Sequence, residues 1–410
     1  MLIEGKNVKI FATIPLPNKI HEREMDKTDI PGTFNAGATL GPVNETNMAR
    51  IWNKHKQSNT PLKRKVFVGM SGGVDSAVAA ALLVRSKKYK VVGCFLKNWS
   101  GTKDFKGECN WVEERLDALR TAAKLQIPFR TFDFEKEYRK TVVDYLFKEY
   151  KAGRTPNPDV MCNMTVKFGV FFKEARRLGA DFIATGHYVK LGKKSGRYFL
   201  AKAKDKNKDQ SYFLETLGQK ELAHSLFPLG NLTKPEVRRL AKKFGFNVAN
   251  KPDSQGICFI GEVPMKEFLK SKLPIKKGKI VSVVGKVLGE HDGVWFYTIG
   301  QKAGIGGGPE PWYITEKRIR KNELVAAQGN GAPELFKKEL RMGKIHWISG
   351  RPPKLPVTCT AKIRYRQPDQ KCTVQRGGKV VFTKPQRAVT PGQFVVFYQG
   401  QEMLGGAVIM

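Results

Sequence analysis

The run Val66-Phe67-Val68-Gly69-Met70-Ser71-Gly72-Gly73-Val74-Asp75-Ser76, with the apolar stretch that follows to Val84, constrains this chain more than any other part of it. An apolar strand enters a turn of small residues, and a helix starts directly after the turn. Gly72 and Gly73 leave consecutive backbone N–H groups with no bulky side chain in front of them. Backed by a helix N-terminus, such a nest suits an anion, and phosphate above all. No Lys follows the glycines, so this is not the GxxxxGK-S/T loop. The plain alternative is a Gly-rich turn in which Ser71 caps the helix.

Downstream, strand and helix patterns alternate: strands over 66–70, 90–96, 129–134 and 181–185, helices over 75–85, 111–125, 138–151 and 167–178. Alternation at this spacing predicts an α/β fold with a doubly wound parallel sheet. In such sheets ligands bind at the carboxyl ends of the strands. The glycine turn, 96–99, 156–163 and Gly186-His187 all fall there. After about Gln219 the pattern changes. Thr233-Lys234-Pro235-Glu236 reads as a capping box with Pro at the helix start, leading a basic helix over 238–244. From Gly343 onward short strands separated by Pro and Gly predict a small antiparallel β-barrel. The expected organisation is a nucleotide-binding catalytic domain over 62–220, to which the 252–260 loop contributes. A small mixed central domain over 221–336 and a barrel over 337–410 follow. Residues 1–61, punctuated by Pro15, Pro17, Pro31 and Pro42, read as a loosely structured extension.

Charge narrows the choice of partner. The chain of 410 residues carries 73 Lys and Arg against 37 Asp and Glu, a net charge of +36. That excess points to a polyanion, nucleic acid first, although a Lys-rich proteome would supply part of it. No apolar run reaches the length of a membrane helix, so no membrane partner is expected. In the N-terminal extension Glu4, Glu22, Glu24, Asp26, Asp29 and Glu45 outnumber the arginines, Arg23 and Arg50, which argues against an Arg-rich, acid-poor transit peptide. Six scattered cysteines form neither a zinc pattern nor a secreted disulfide scaffold. A reducing, cytoplasmic setting is expected.

Two cysteine motifs carry the chemistry. Cys162 ends Arg154-Thr155-Pro156-Asn157-Pro158-Asp159-Val160-Met161-Cys162, just ahead of a helix expected near Thr165. A helix N-terminus with Arg154 and Lys167 in reach lowers a thiol pKa, and Asp159 is placed to orient or exchange a proton. Cys258 lies on the polar-Gly turn Asp253-Ser254-Gln255-Gly256-Ile257-Cys258. For both residues a buried, inert thiol and a reactive one remain open. Cys94 and Cys359 fit the inert reading.

The motifs GMSGGVDS (69–76), KNW (97–99), RTPNPDVMCN (154–163), KFG (167–169), ATGHY (184–188), KDQSYF (208–213), GNLTKPEVR (230–238), DSQGICFIG (253–261), YTIGQ (297–301) and IRYRQ (363–367) occur in this order. The first resembles the PP-loop of ATP pyrophosphatases. Together, over about residues 65–410, they resemble the tRNA-specific 2-thiouridylase family, enzymes that put sulfur on the wobble uridine of tRNA. The resemblance implies ATP, with magnesium, at Gly69, Met70, Ser71, Gly72, Gly73, Val74, Asp75 and Ser76, and also at Leu96 and Gly186. It implies adenylation of the uracil 2-oxygen and attack by a persulfide sulfur on Cys258, delivered by an upstream sulfur-relay protein. Cys162 becomes the partner thiol, able to end in a disulfide with Cys258, and Asp159 the acid/base. Asn157, Pro158 and Asp159 are implied contacts of the target base. His187, Lys208, Asp209, Gln210, Arg364, Tyr365 and Gln393 are implied contacts of the tRNA. Arg364-Tyr365-Arg366-Gln367 independently offers phosphate anchors beside a stacking ring.

The sequence departs from the family pattern at Leu96 (commonly Met), Ser100 (Asp), Met164 (often Lys) and after Gln301, where Lys302-Ala303 follows and Arg is usual. None removes a reacting atom. Met164 removes a positive charge beside Cys162, which leaves Lys167 to compensate. An amidating PP-loop ligase would share the phosphate loop but need neither cysteine motif.

Overall fold

Five parallel strands form the first sheet. They are β1 (Arg64–Gly69), β2 (Tyr89–Lys97), β3 (Phe129–Asp133), β4 (Phe182–Ala184) and β7 (Ser225–Leu226), in the spatial order β3-β2-β1-β4-β7. The computed structural model describes residues 63–100, 110–253 and 264–410. The expectations for 1–61, and for Cys258 with the rest of its turn, lie outside them.

Both faces of this sheet are covered, and the side-chain alternation of a strand shows how. Val66 and Val68 of β1, with Val91 and Phe95 of β2, pack against Ala80, Leu83, Ala118 and Ala122 of helices α1 (Val74–Arg85) and α2 (Asn110–Lys124). Phe67, Val92, Cys94 and Leu96 face the other way, against Tyr138, Leu146, Val166 and Phe171 of two long helical stretches, 135–151 and 158–177. Cys94 is fully buried there, and burial pushes its thiol far up, which fits the inert reading. The sheet is doubly wound, as expected, and its order reverses between β1 and β4.

A four-stranded mixed sheet follows, with β8 (Gly278–Ser282), β9 (Val287–His291), β10 (Trp312–Arg318) and β11 (Glu323–Gln328) in the order β10-β11-β8-β9. The expected barrel is a nine-stranded antiparallel sheet with a feature the sequence reading missed. Its C-terminal strands include β14 (Val357–Lys362), β17 (Phe394–Gln399) and β18 (Glu402–Val408). The hairpin β5 (Lys190–Lys194) and β6 (Arg197–Ala201), from the nucleotide-binding part, extends this sheet by pairing with β18. The described residues from Arg64 to Met410 accordingly belong to one packed unit. No helix among the described residues is long and apolar enough to cross a membrane.

Candidate active site

The turn after β1 keeps its helix end open. The cap of α1 is Gly73, in an extended conformation, and no side chain accepts the first N–H groups. Ser71 is not the cap. Its own N–H donates to Ser76 Oγ at 3.1 Å, while the Ser76 hydroxyl donates to the Gly73 carbonyl at 3.1 Å. The serines brace the loop, and the helix N-terminus stays available to an anion. Gly72 has φ of +73°, and a Cβ there would sit 2.2 Å from the Glu114 carbonyl oxygen. Just past β4, a Cβ on Gly186 would come within 2.8 Å of the Ser76 nitrogen, so only glycine lets this strand end close on the first turn of α1.

These strand ends open into a cleft of about 560 Å³. Gly69 through Ser76, Leu96 and Gly186 line it, and so do Asp159, His187, Lys208, Gln210 and Tyr365. The expected nucleotide loop and half of the expected tRNA contacts therefore share one cavity. Glu114, Lys167, Phe171, Tyr188, Phe213, Lys251 and Arg366 also line it. Lys167, Tyr188, Phe213 and Arg366 belong to the quoted motifs, whereas Glu114, Phe171 and Lys251 carried no motif signal, because their presence in the cleft depends on how the helices pack. Burial pushes the Glu114 carboxyl up to about 7, against the pull of Lys251.

Asn157, Pro158, Asp209, Arg364 and Gln393 hold the walls from behind. The Asn157 side chain caps a helix that begins at Pro158, accepting the Val160 N–H at 3.2 Å. Cys162 therefore lies one turn inside a helix rather than ahead of one near Thr165. Asn-Pro is a cap-plus-first-residue signature, and it was the signal available. Asp159 and Cys162, three positions apart, share a helix face. The Gln393 amide donates to the carbonyls of Thr155 and Pro156 at 3.0 and 3.1 Å, so the barrel fixes the loop that precedes this helix. Asp209 is buried and accepts from Ala203 N at 3.1 Å, Ser211 Oγ at 3.1 Å and Lys362 Nζ at 3.3 Å. Half-buried Arg364 donates to the Arg387 carbonyl at 2.8 Å.

Electrostatics separates the basic groups. Arg154, expected to help lower the Cys162 pKa, is instead held by Glu149 through two bonds of 2.5 and 2.7 Å. Lys167 lines the cleft. Burial, and then Lys167, hold the His187 imidazole well below its ordinary pKa. His187 is thus a neutral hydrogen-bonding group, with Nδ1 2.8 Å from the Thr185 hydroxyl. Opposite, the rings of Phe213 and Tyr365 lie 4.7 Å apart, and the Arg366 guanidinium sits 5.2 Å over Tyr365. This is a stacking platform with a cation beside it, suited to an unstacked base.

Comparison with known proteins agrees in extent with these three sheets. Residues 64–262 match the family described as tRNA methyl transferase HUP domain. Residues 266–328 match the tRNA methyl transferase PRC-barrel domain, and 337–409 the aminomethyltransferase beta-barrel domain. The tRNA-specific 2-thiouridylase MnmA 2 of Geobacillus kaustophilus is 49% identical over 358 residues, 86% of this chain and 96% of the relative. The tRNA-specific 2-thiouridylase MnmA of Halalkalibacterium halodurans is 49% identical over 359 residues, with the same coverage of 86% and 96%. Among solved structures, U34-tRNA thiolase NcsA from Methanococcus maripaludis aligns over 52% of this chain and 67% of its own, with TM-score 0.32 and 17% identity.

Proposed function

The chain belongs to the tRNA-specific 2-thiouridylase family, and from that premise we propose that it is an ATP-dependent tRNA-uridine 2-sulfurtransferase acting on the wobble uridine. The observation that carries the proposal is the shared cavity: an open phosphate loop and an aromatic-cationic wall line one cleft, with Asp159 of the cysteine helix lining it too. Such a cleft suits a reaction that joins a nucleotide to a flipped-out base.

ATP fits the loop physically. Gly72, Gly73 and Gly186 leave no Cβ in front of the N–H groups, and the start of α1 lacks a side-chain acceptor. In this reading the uracil 2-oxygen takes AMP from ATP, held with magnesium, as pyrophosphate leaves, and the adenylated oxygen becomes a leaving group. Residues 69–76 hold the phosphates, and Leu96 and Gly186 border the nucleotide. Asn157 and Pro158 position the base, Asp159 moves the proton, and the Phe213–Tyr365 wall stacks it. His187, Lys208, Gln210 and Arg364 orient the tRNA, while Asp209 and Gln393 hold the walls that do so.

The terminal sulfur of a Cys258 persulfide then forms the bond to C2 as the C2–O bond to AMP breaks. Attack by the Cys162 thiolate on the inner sulfur breaks the S–S bond, leaving 2-thiouridine and a Cys162–Cys258 disulfide that a reductant reopens. A persulfide donor protein loads Cys258, and the cytoplasm is the expected setting. The test is incubation with ATP, a persulfide donor and unmodified tRNA, with nucleoside mass spectrometry. Wild type is expected to form 2-thiouridine and Cys258→Ser none. No thiolated nucleoside from wild type, or an undiminished yield from Cys258→Ser, overturns the proposal.

A further inference from the structure

Lys234, the first residue of helix α6 in Lys234–Lys243 (the sixth helix counted with α3 in 135–151, α4 in 158–177 and α5 as Gln219–Ala223), does not point to solvent. It is 8% exposed, and its ammonium donates to both carboxylate oxygens of Asp75, at 2.7 and 2.8 Å. The same nitrogen lies 2.6 Å from Asp253 Oδ1. Asp75 belongs to the phosphate loop, where it also accepts the Tyr188 hydroxyl at 2.7 Å. Asp253 also lines the cleft, bound to Lys208 and, at 3.2 Å, to Arg238. Burial raises the Asp253 carboxyl, yet the bonds from Lys208 and Lys234 bring it down to about 2, so it stays ionised.

Two carboxylates at the rim of an anion site oppose binding of a polyphosphate. Lys234 reaches both of them and, with Lys208 and Arg238 on Asp253, offsets that opposition. We propose that Lys234 is a positioning residue that neutralises Asp75 and Asp253 together, so that a triphosphate can bind the 69–76 loop while Lys208 remains docked on Asp253. The inference rests on the reading that ATP occupies that loop. Lys234 acts through the two aspartates, and it leads its helix because the Lys234 N–H is fixed by Asp205 Oδ2 at 2.8 Å.

The test measures ATP binding by titration calorimetry, with circular dichroism to verify folding, on four proteins: wild type, Lys234→Gln, Asp253→Asn and the double variant. Lys234→Gln is expected to weaken ATP at least tenfold and to leave tRNA affinity, read by filter binding, within about twofold. Asp253→Asn alone is expected to bind ATP at least as tightly as wild type. Added to Lys234→Gln, it should recover part of the lost affinity, a rescue that a merely structural lysine would not show. ATP binding unchanged in Lys234→Gln, absence of rescue, or weaker ATP binding in Asp253→Asn overturns the inference. Should Lys234→Gln not fold, the Asp253→Asn result decides alone. Wild type that binds no ATP overturns the underlying nucleotide reading instead.

Discussion

At the scale of single residues, backbone conformation and burial decide more than side-chain identity. Gly72 is the clearest case, since its φ of +73° and its approach to the Glu114 carbonyl both exclude a side chain. Gly72→Ala should cost about 1–3 kcal/mol of stability through strain and abolish measurable ATP affinity, read by thermal melting and calorimetry. The glycine pair was legible in the sequence; the carbonyl it must avoid, on a different helix, was not. Glu215 had no sequence signal at all. It is fully buried, neither carboxylate oxygen has a hydrogen-bond partner among the described residues, and burial pushes its pKa up to about 8. The folded state therefore holds a proton that the unfolded chain releases above its ordinary carboxyl pKa of about 4.3. Its contribution to stability is whole below that pH and is lost progressively as pH rises toward 8, with a slope on the order of 1 kcal/mol per pH unit. Glu215→Gln should flatten this part of the pH–stability curve, which urea titrations between pH 5 and 8 will read. A curve with unchanged slope would show that Glu215 does not carry it.

Elements were legible where one local signal sufficed. Helix α6 starts where the capping box said it would. The Glu236 carboxylate accepts the Thr233 N–H at 2.6 Å and the Thr233 hydroxyl at 2.9 Å. Thr233→Ala should cost about 1 kcal/mol in chemical denaturation, and it should also weaken ATP, because the same turn delivers Lys234. The helix carrying Cys162 was placed too late. Its signature, Asn157-Pro158, was hidden inside a motif read for chemistry, and a widened π turn over Asn163–Val170 blurs the helical period that follows. The β5–β6 hairpin escaped for a different reason. Its strands are short, and what makes them strands is pairing with β18, some two hundred positions away in the chain. Cys359 and Cys372 show the same limit. Each reads alone as a buried apolar residue, but antiparallel pairing of β14 with its neighbour, Gln370–Val374, sets their sulfurs 3.8 Å apart.

For the whole molecule, the shared nine-stranded sheet makes the barrel part of the site's foundation. The Tyr212 hydroxyl donates to the Phe394 carbonyl at 2.9 Å, and Lys362 holds Asp209 beside the cleft. A chain ending at residue 336 should therefore lose ATP affinity as well as tRNA affinity. The intact protein should melt in one calorimetric transition, and two separate transitions would contradict this coupling. With a net charge of +36, tRNA binding should also weaken steeply with salt, each phosphate contact adding about −0.7 to −0.9 to the log–log slope. A slope near zero in filter binding from 50 to 300 mM KCl would contradict an electrostatic interface. The sequence by itself determined the parallel sheet, the phosphate turn and the family. Strand period, glycine pairs and capping residues act over a few positions, and the ordered motifs need no geometry to be read. Only the tertiary structure decided that Lys234 bridges Asp75 and Asp253, that Arg154 is taken by Glu149, and that Asp209 and Gln393 brace walls. Those pairings join residues brought together by packing, and a charged side chain's partner is set by which other charges the fold leaves within reach.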